Sequence, residues 1–152
     1  MQSENIGWEI AKVVMNPLHQ AQVIPKNVSE LIYDFMRAYP AEKSIQLHDF
    51  IKNQIGESLN DTSILNRIGL TQISGGLNSD WGIALLNLNT MLFPDDGNLW
   101  DSLGEGYLLL GDKENARLNF KKALELGQEK ECHWCKNSQK KLILIQSNPN
   151  LN

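Results

Sequence analysis

Leu99, Leu103, Tyr107 and Leu110 recur at steps of three and four residues, the spacing that lines one face of an α-helix, and Gly111 follows as a residue able to take a left-handed cap. After Asp112, a side chain suited to capping a helix N-terminus, Ala116, Phe120, Ala123, Leu124 and Leu126 form a second one-sided stripe. Residues 97–130 are therefore predicted to fold as two antiparallel helices joined by a tight turn. Gly104 and Ala116 let the two backbones approach, while Trp100, Tyr107 and Phe120 fill the space around them.

A weaker copy of this pattern precedes it over residues 62–96. Leu65, Ile68 and Gly69 mark a first helix, Gly82 and Leu86 a second, and Gly75, Gly76 and Asn78 the turn between them. Pro94, Asp95, Asp96 and Gly97 separate the two units. The N-terminal flank, residues 1–58, predicts helices at 28–39 (Leu31, Ile32, Phe35, Met36) and 41–55 (Ile45, Leu47, Phe50, Ile51, Ile55), split by Pro40. A further short helix is expected at 3–15 around Trp8, Ile10, Ala11 and Val14, then a loop over 17–25. Residues 131–147, with Trp134, Leu142 and Ile145 on one face, read as a solubilising cap helix that stops at Asn148 and Pro149. No low-complexity linker interrupts the chain, so one all-α domain over residues 1–152 is predicted.

Trp100, Leu103, Gly104, Tyr107, Gly111, Asp112, Ala116, Phe120 and Ala123 stand at the spacings Trp-x2-Leu-Gly-x2-Tyr and Ala-x3-Phe, and residues 97–130 closely resemble a tetratricopeptide repeat. Gln128 stands where that pattern usually closes with proline. Residues 62–96 resemble a degenerate repeat with one inserted residue, closed by Pro94. The resemblance implies helix pairs stacked as a short right-handed solenoid with flanking cap helices, and a concave surface lined by the first helix of each pair. One helix pair cannot bury its own apolar face, so such repeats need stacked neighbours. On that surface Asn66, Asn98, Asp101, Glu105 and Leu108 are the candidate partner-binding residues. Asp101 and Glu105 repel an acidic segment, so the expected ligand is a neutral or basic peptide or helix of a partner protein.

The order of features also resembles the C-terminal tail of bacterial serine hydrolases of the penicillin-binding and beta-lactamase type. In that comparison residues 5–15 correspond to the closing helix of the catalytic domain, 17–25 to a proline-bounded loop, and 86–116 to the repeat region. The family's Ser-x-x-Lys spacing occurs only at Ser138 to Lys141, with no Ser-Asp-Asn or Lys-Thr-Gly element. The resemblance therefore implies a regulatory or assembly tail without its catalytic domain, and no enzyme activity is expected.

Charge narrows the partners further. Among 152 residues, 14 Lys and Arg against 18 Asp and Glu leave a net charge of -4, with no basic excess for nucleic acid or anionic lipid. The Lys121-Lys122 and Lys140-Lys141 pairs read as solvated helix faces. The first 25 residues carry no basic region followed by an apolar run, and no stretch is long enough to cross a membrane, so a soluble cytoplasmic protein is expected.

Two cysteines, Cys132 and Cys135, cannot build a disulfide framework, which fits a reducing compartment. Their Cys-x-x-Cys spacing also suits a zinc knuckle or a redox pair, making a small metal or redox protein the third functional alternative. Zinc lacks partners, since His133 is crowded between the cysteines and His19 and His48 are distant; the redox reading lacks the usual preceding strand. The pair is therefore read as ordinary cap residues, with no metal and no cofactor. His19 and His48 read as satisfied polar positions, Trp81 and Trp100 as core, and Gly75-Gly76 and Gly104-x-Gly106 as turn or packing glycines, not phosphate loops. The favoured function is a non-catalytic interaction module or scaffold, with self-association as an alternative to a foreign partner.

Overall fold

The computed structural model describes residues 25–127 and 132–148, and these form α-helices and one 3-10 helix with no strand among them. In chain order the elements are α1 (Val28–Ala38), a 3-10 helix (Ala41–Gln46), α2 (Leu47–Ile55), α3 (Thr62–Ser74), α4 (Ser79–Leu92), α5 (Gly97–Leu109), α6 (Lys113–Gly127) and α7 (Cys135–Ser147). The expected helix at 3–15, most of the 17–25 loop, His19 and Gln128 lie outside the described residues. No described helix is long and apolar enough to cross a membrane.

The helix starts follow local chemistry. Asn27 and Glu30 form a reciprocal capping box on α1. Asp61, Asn78, Asp96 and Asp112 each accept a hydrogen bond from a backbone N–H in the first turn of the helix they precede. The α5–α6 turn passes through Gly111 at φ 78°, a left-handed conformation that glycine adopts without cost.

Packing runs down the chain. Leu31, Ile32, Phe35, Leu47, Ile51, Leu65, Ile68, Trp81, Leu85 and Leu88 form one core among α1 to α4. Ile73, Leu86 and Leu103 continue it across α3, α4 and α5, and Leu99, Ala116, Phe120 and Ala123 are buried in the α5–α6 pair. Trp81 belongs to the core as expected, its indole donating to the carbonyl of Tyr39 at 3.2 Å. The close crossings fall where small residues were anticipated: a Cβ on Gly104 would lie 2.8 Å from the Phe120 ring, and one on Gly82 would lie 2.8 Å from the carbonyl oxygen of Gly69.

Two boundaries differ from the sequence reading. The 41–55 helix begins as a 3-10 segment with no buried residue, which leaves Ile45 54% exposed instead of on the core face. Pro40 precedes it without a side-chain cap, and buried apolar anchoring starts only at Leu47. The cap helix starts at Cys135, and Ser138 is its only buried residue, with Leu142 and Ile145 half-buried.

Candidate functional site

The first turns of α3 and α5 lie side by side. Thr62, Ser63, Asn66 and Arg67 from α3 and Asn98 and Leu99 from α5 line a cavity of about 300 Å3. Near the opposite ends, a Cβ on Gly106 of α5 would stand 3.1 Å from Ile73 of α3, so the two helices run parallel. Asp61 fixes one start by accepting from the Ser63 amide at 2.8 Å, and Asp96 fixes the other by accepting from the Asn98 amide at 3.0 Å. Hydrogen bonding from Ser63, assisted by the nearby charge of Arg67, holds the Asp61 carboxyl below its ordinary value. Behind the cavity, buried Asn89 on α4 donates to the Thr62 carbonyl at 2.7 Å and anchors the start of α3.

Two of the five sequence-predicted residues, Asn66 and Asn98, thus come together. Asn66 Oδ1 is buried with no hydrogen-bond partner among the described residues, while the residue itself is one of those lining the cavity. Leu108 lies half-buried in the last turn of α5, outside this cavity.

Asp101 and Glu105 are not open to a partner here, because α7 covers them. The Ser138 hydroxyl donates to Asp101 Oδ1, and Asn137 Nδ2 donates to Asp101 Oδ2 at 2.9 Å and to Glu105 Oε1 at 3.1 Å. Lys141 pairs with Glu105 at 3.2 Å. Positions 101 and 105 are four residues apart on α5, and 137, 138 and 141 present a matching polar row on α7, so the two helices dock in parallel. Burial pushes the Asp101 carboxyl above its ordinary value, opposed by the hydrogen bonds from Ser138 and Asn137. The same contacts account for the Ser-x-x-Lys spacing: Ser138 is fully buried against Asp101, and Lys141 turns to Glu105.

Cys132 and Cys135 are joined by a disulfide, where the sequence reading expected ordinary cap residues in a reducing setting. With both sulfurs in that bond, neither offers a thiolate to a metal. The pair sits at the start of α7, and a Cβ on Gly127 would come within 2.5 Å of both sulfurs, so this glycine seats the disulfide. His48 lies 3.3 Å from Asp49 on its own helix.

Arg67, Asn137, Ser138, Lys141 and Gly127 were not singled out for these roles from sequence. The polar i, i+1, i+4 row on the cap helix was the available signal, and the search for apolar periodicity passes over it.

The chain matches no protein-family model and no curated protein.

Proposed function

We propose that the chain is a non-catalytic interaction module, a short tetratricopeptide-type solenoid that holds an extended peptide of a partner in the groove between α3 and α5. The parallel directions of α3, α5 and α7, alternating with α4 and α6, support the solenoid reading. The observation that carries the binding reading is the polar cavity that Asn66 and Asn98 share where the starts of α3 and α5 lie side by side. The Asn98 side-chain amide offers both a donor and an acceptor to a peptide group of an extended segment. With Asp101 and Glu105 engaged by α7, Arg67 is the charged residue lining the cavity, so the groove suits a neutral or acidic segment better than a basic one. Leu99 supplies an apolar wall.

Panning a displayed random-peptide library on the immobilised chain tests this reading, with the Asn66→Ala, Asn98→Ala variant alongside and its helicity matched by circular dichroism. A sequence motif enriched on the native chain and lost on the variant is the expected result. Equal enrichment on both, or none on either, would overturn the groove assignment.

A further inference from the structure

The Cys132–Cys135 disulfide spans Cα atoms 5.2 Å apart at the point where α7 begins. Cys135 is the first residue of that helix, and Trp134 at the N-cap provides no side-chain hydrogen bond to its N-terminal amides. Those amides and the positive end of the helix dipole favour a thiolate on Cys135. Cys132 precedes the helix and lacks that stabilisation. Cys135 is therefore the better leaving group, and an incoming thiolate is directed to Cys132. Both cysteines are partly exposed residues.

The helix behind this bond is held unlike its neighbours. The other described α-helices each bury at least one large apolar side chain, whereas α7 buries only Ser138. It packs along α6 with Leu142 and Ile145 half-buried, and its attachment to α5 is the polar row at Asn137, Ser138 and Lys141, while Trp134 packs against Gly97 and donates to the Ala123 carbonyl at 3.2 Å. Trp134 lies between the two cysteines, so the closed disulfide fixes the turn that aims its ring. An element with few buried apolar contacts belongs to the low-stability end of a fold, where a local constraint decides whether it stays docked.

We propose that Cys132–Cys135 is a thiol–disulfide exchange site for a dithiol reductant, whose action releases α7 from α5 and uncovers the Asp101 and Glu105 carboxylates. In the first step a reductant thiolate bonds to the Cys132 sulfur as the Cys132–Cys135 bond breaks, and Cys135 leaves as a thiolate. The second thiolate of the reductant then attacks its own sulfur in the mixed disulfide, expelling Cys132 and closing the reductant's disulfide. Two electrons pass from reductant to protein, and two protons complete the cysteine thiols. This inference stands independently of the α3–α5 groove.

The test uses the full chain equilibrated in reduced or oxidised dithiothreitol. Acid-quenched alkylation with mass spectrometry counts thiols, hydrogen exchange follows the α7 amides, and carbodiimide labelling reads Asp101 and Glu105. Reduction should give two thiols per chain, about tenfold or more faster exchange over Cys135–Ser147, increased labelling at both carboxylates and unchanged exchange in α3 to α5. The Cys132→Ser, Cys135→Ser variant should behave as the reduced chain in either buffer. A fully reduced chain that keeps α7 protected, a pair that stays reduced in oxidised dithiothreitol, or exchange that rises equally in every helix would each overturn the proposal.

Discussion

Ser138 on α7 donates its hydroxyl to the carboxylate of Asp101 on α5, 37 positions earlier, with Ser138 fully buried and Asp101 7% exposed. A hydrogen bond to an ionised acceptor in such a place is stronger than one between neutral groups, and removing its donor leaves a carboxylate short of the partners that water would otherwise supply. The contact also fixes register. Asn137 and Lys141 reach Glu105 in the same register in which Ser138 meets Asp101, so five polar side chains settle together where α7 buries no large apolar side chain.

The protonation of Asp101 is therefore coupled to folding. Burial raises its carboxyl above the ordinary value of 3.8 despite the hydrogen bonds from Ser138 and Asn137. Between the unfolded and folded values the native state binds more protons than the unfolded chain, so this group's contribution to stability falls as pH rises through that interval. Asp61 and Asp112 act in the opposite sense. Hydrogen bonds from Ser63 and Asn115 lower their carboxyls, so the stability they provide is present above the ordinary value and lost as pH falls. Comparison with Asp101→Asn cancels those contributions. In urea unfolding from about pH 3.5 to about pH 7, the stability of the wild type relative to this variant should decline with rising pH. A difference that stays flat or rises would contradict a buried, raised carboxyl at position 101.

Apolar periodicity carries more of this molecule than its polar contacts do. Leu65, Ile68, Leu99, Leu103 and Phe120 are buried where their spacing placed them, because a one-sided stripe can satisfy itself only by facing other helices. The cap at Asp112 was equally legible, since its chemistry is local. Asn66 and Asn98 meet because the starts of two parallel first helices lie side by side, although in the two-unit pattern Asn66 corresponds to Asp101 and not to Asn98. The fate of Asp101 and Glu105 was not legible. Their partners Asn137, Ser138 and Lys141 lie more than 30 positions away, and nothing in local spacing says which polar row will cover which. The disulfide was hidden for a different reason: Cys-x-x-Cys is compatible with several chemistries, and only its place against Gly127 at the start of α7 separates them.

Gly104 offers a test of the α5–α6 crossing in which two effects oppose each other. Alanine at a helix interior gains roughly 0.5–1 kcal/mol over glycine in backbone entropy. Here its Cβ would stand 2.8 Å from Cδ1 and Cε1 of Phe120, a ring with no solvent exposure and no room to retreat. Overpacking of this kind costs about 1–3 kcal/mol, so Gly104→Ala should be a net loss and Gly104→Leu a larger one. Adding Phe120→Leu to Gly104→Ala should recover part of the deficit, giving a favourable coupling in a double-mutant cycle measured by urea unfolding. Strict additivity would mean that the ring is not what resists the methyl group.

Trp134 separates packing from hydrogen bonding in the attachment of α7. Its ring lies where a Cβ on Gly97 would come within 2.8 Å, and it walls a cavity of about 510 Å3 with Leu92, Phe93, Pro94 and Leu126. Its indole N–H reaches the Ala123 carbonyl at 3.2 Å. Trp134→Phe removes the N–H and part of the ring, a loss of about 1 kcal/mol from the hydrogen bond. Trp134→Ala removes the packing as well, and for a half-buried ring about 2 kcal/mol is expected, below the range for full burial. Under oxidising conditions hydrogen exchange over Cys135–Ser147 should therefore accelerate in the order wild type, Trp134→Phe, Trp134→Ala, with the amides of α3 and α4 unaffected. Identical protection in all three chains would mean that the disulfide-closed turn and the polar row hold α7 without the ring.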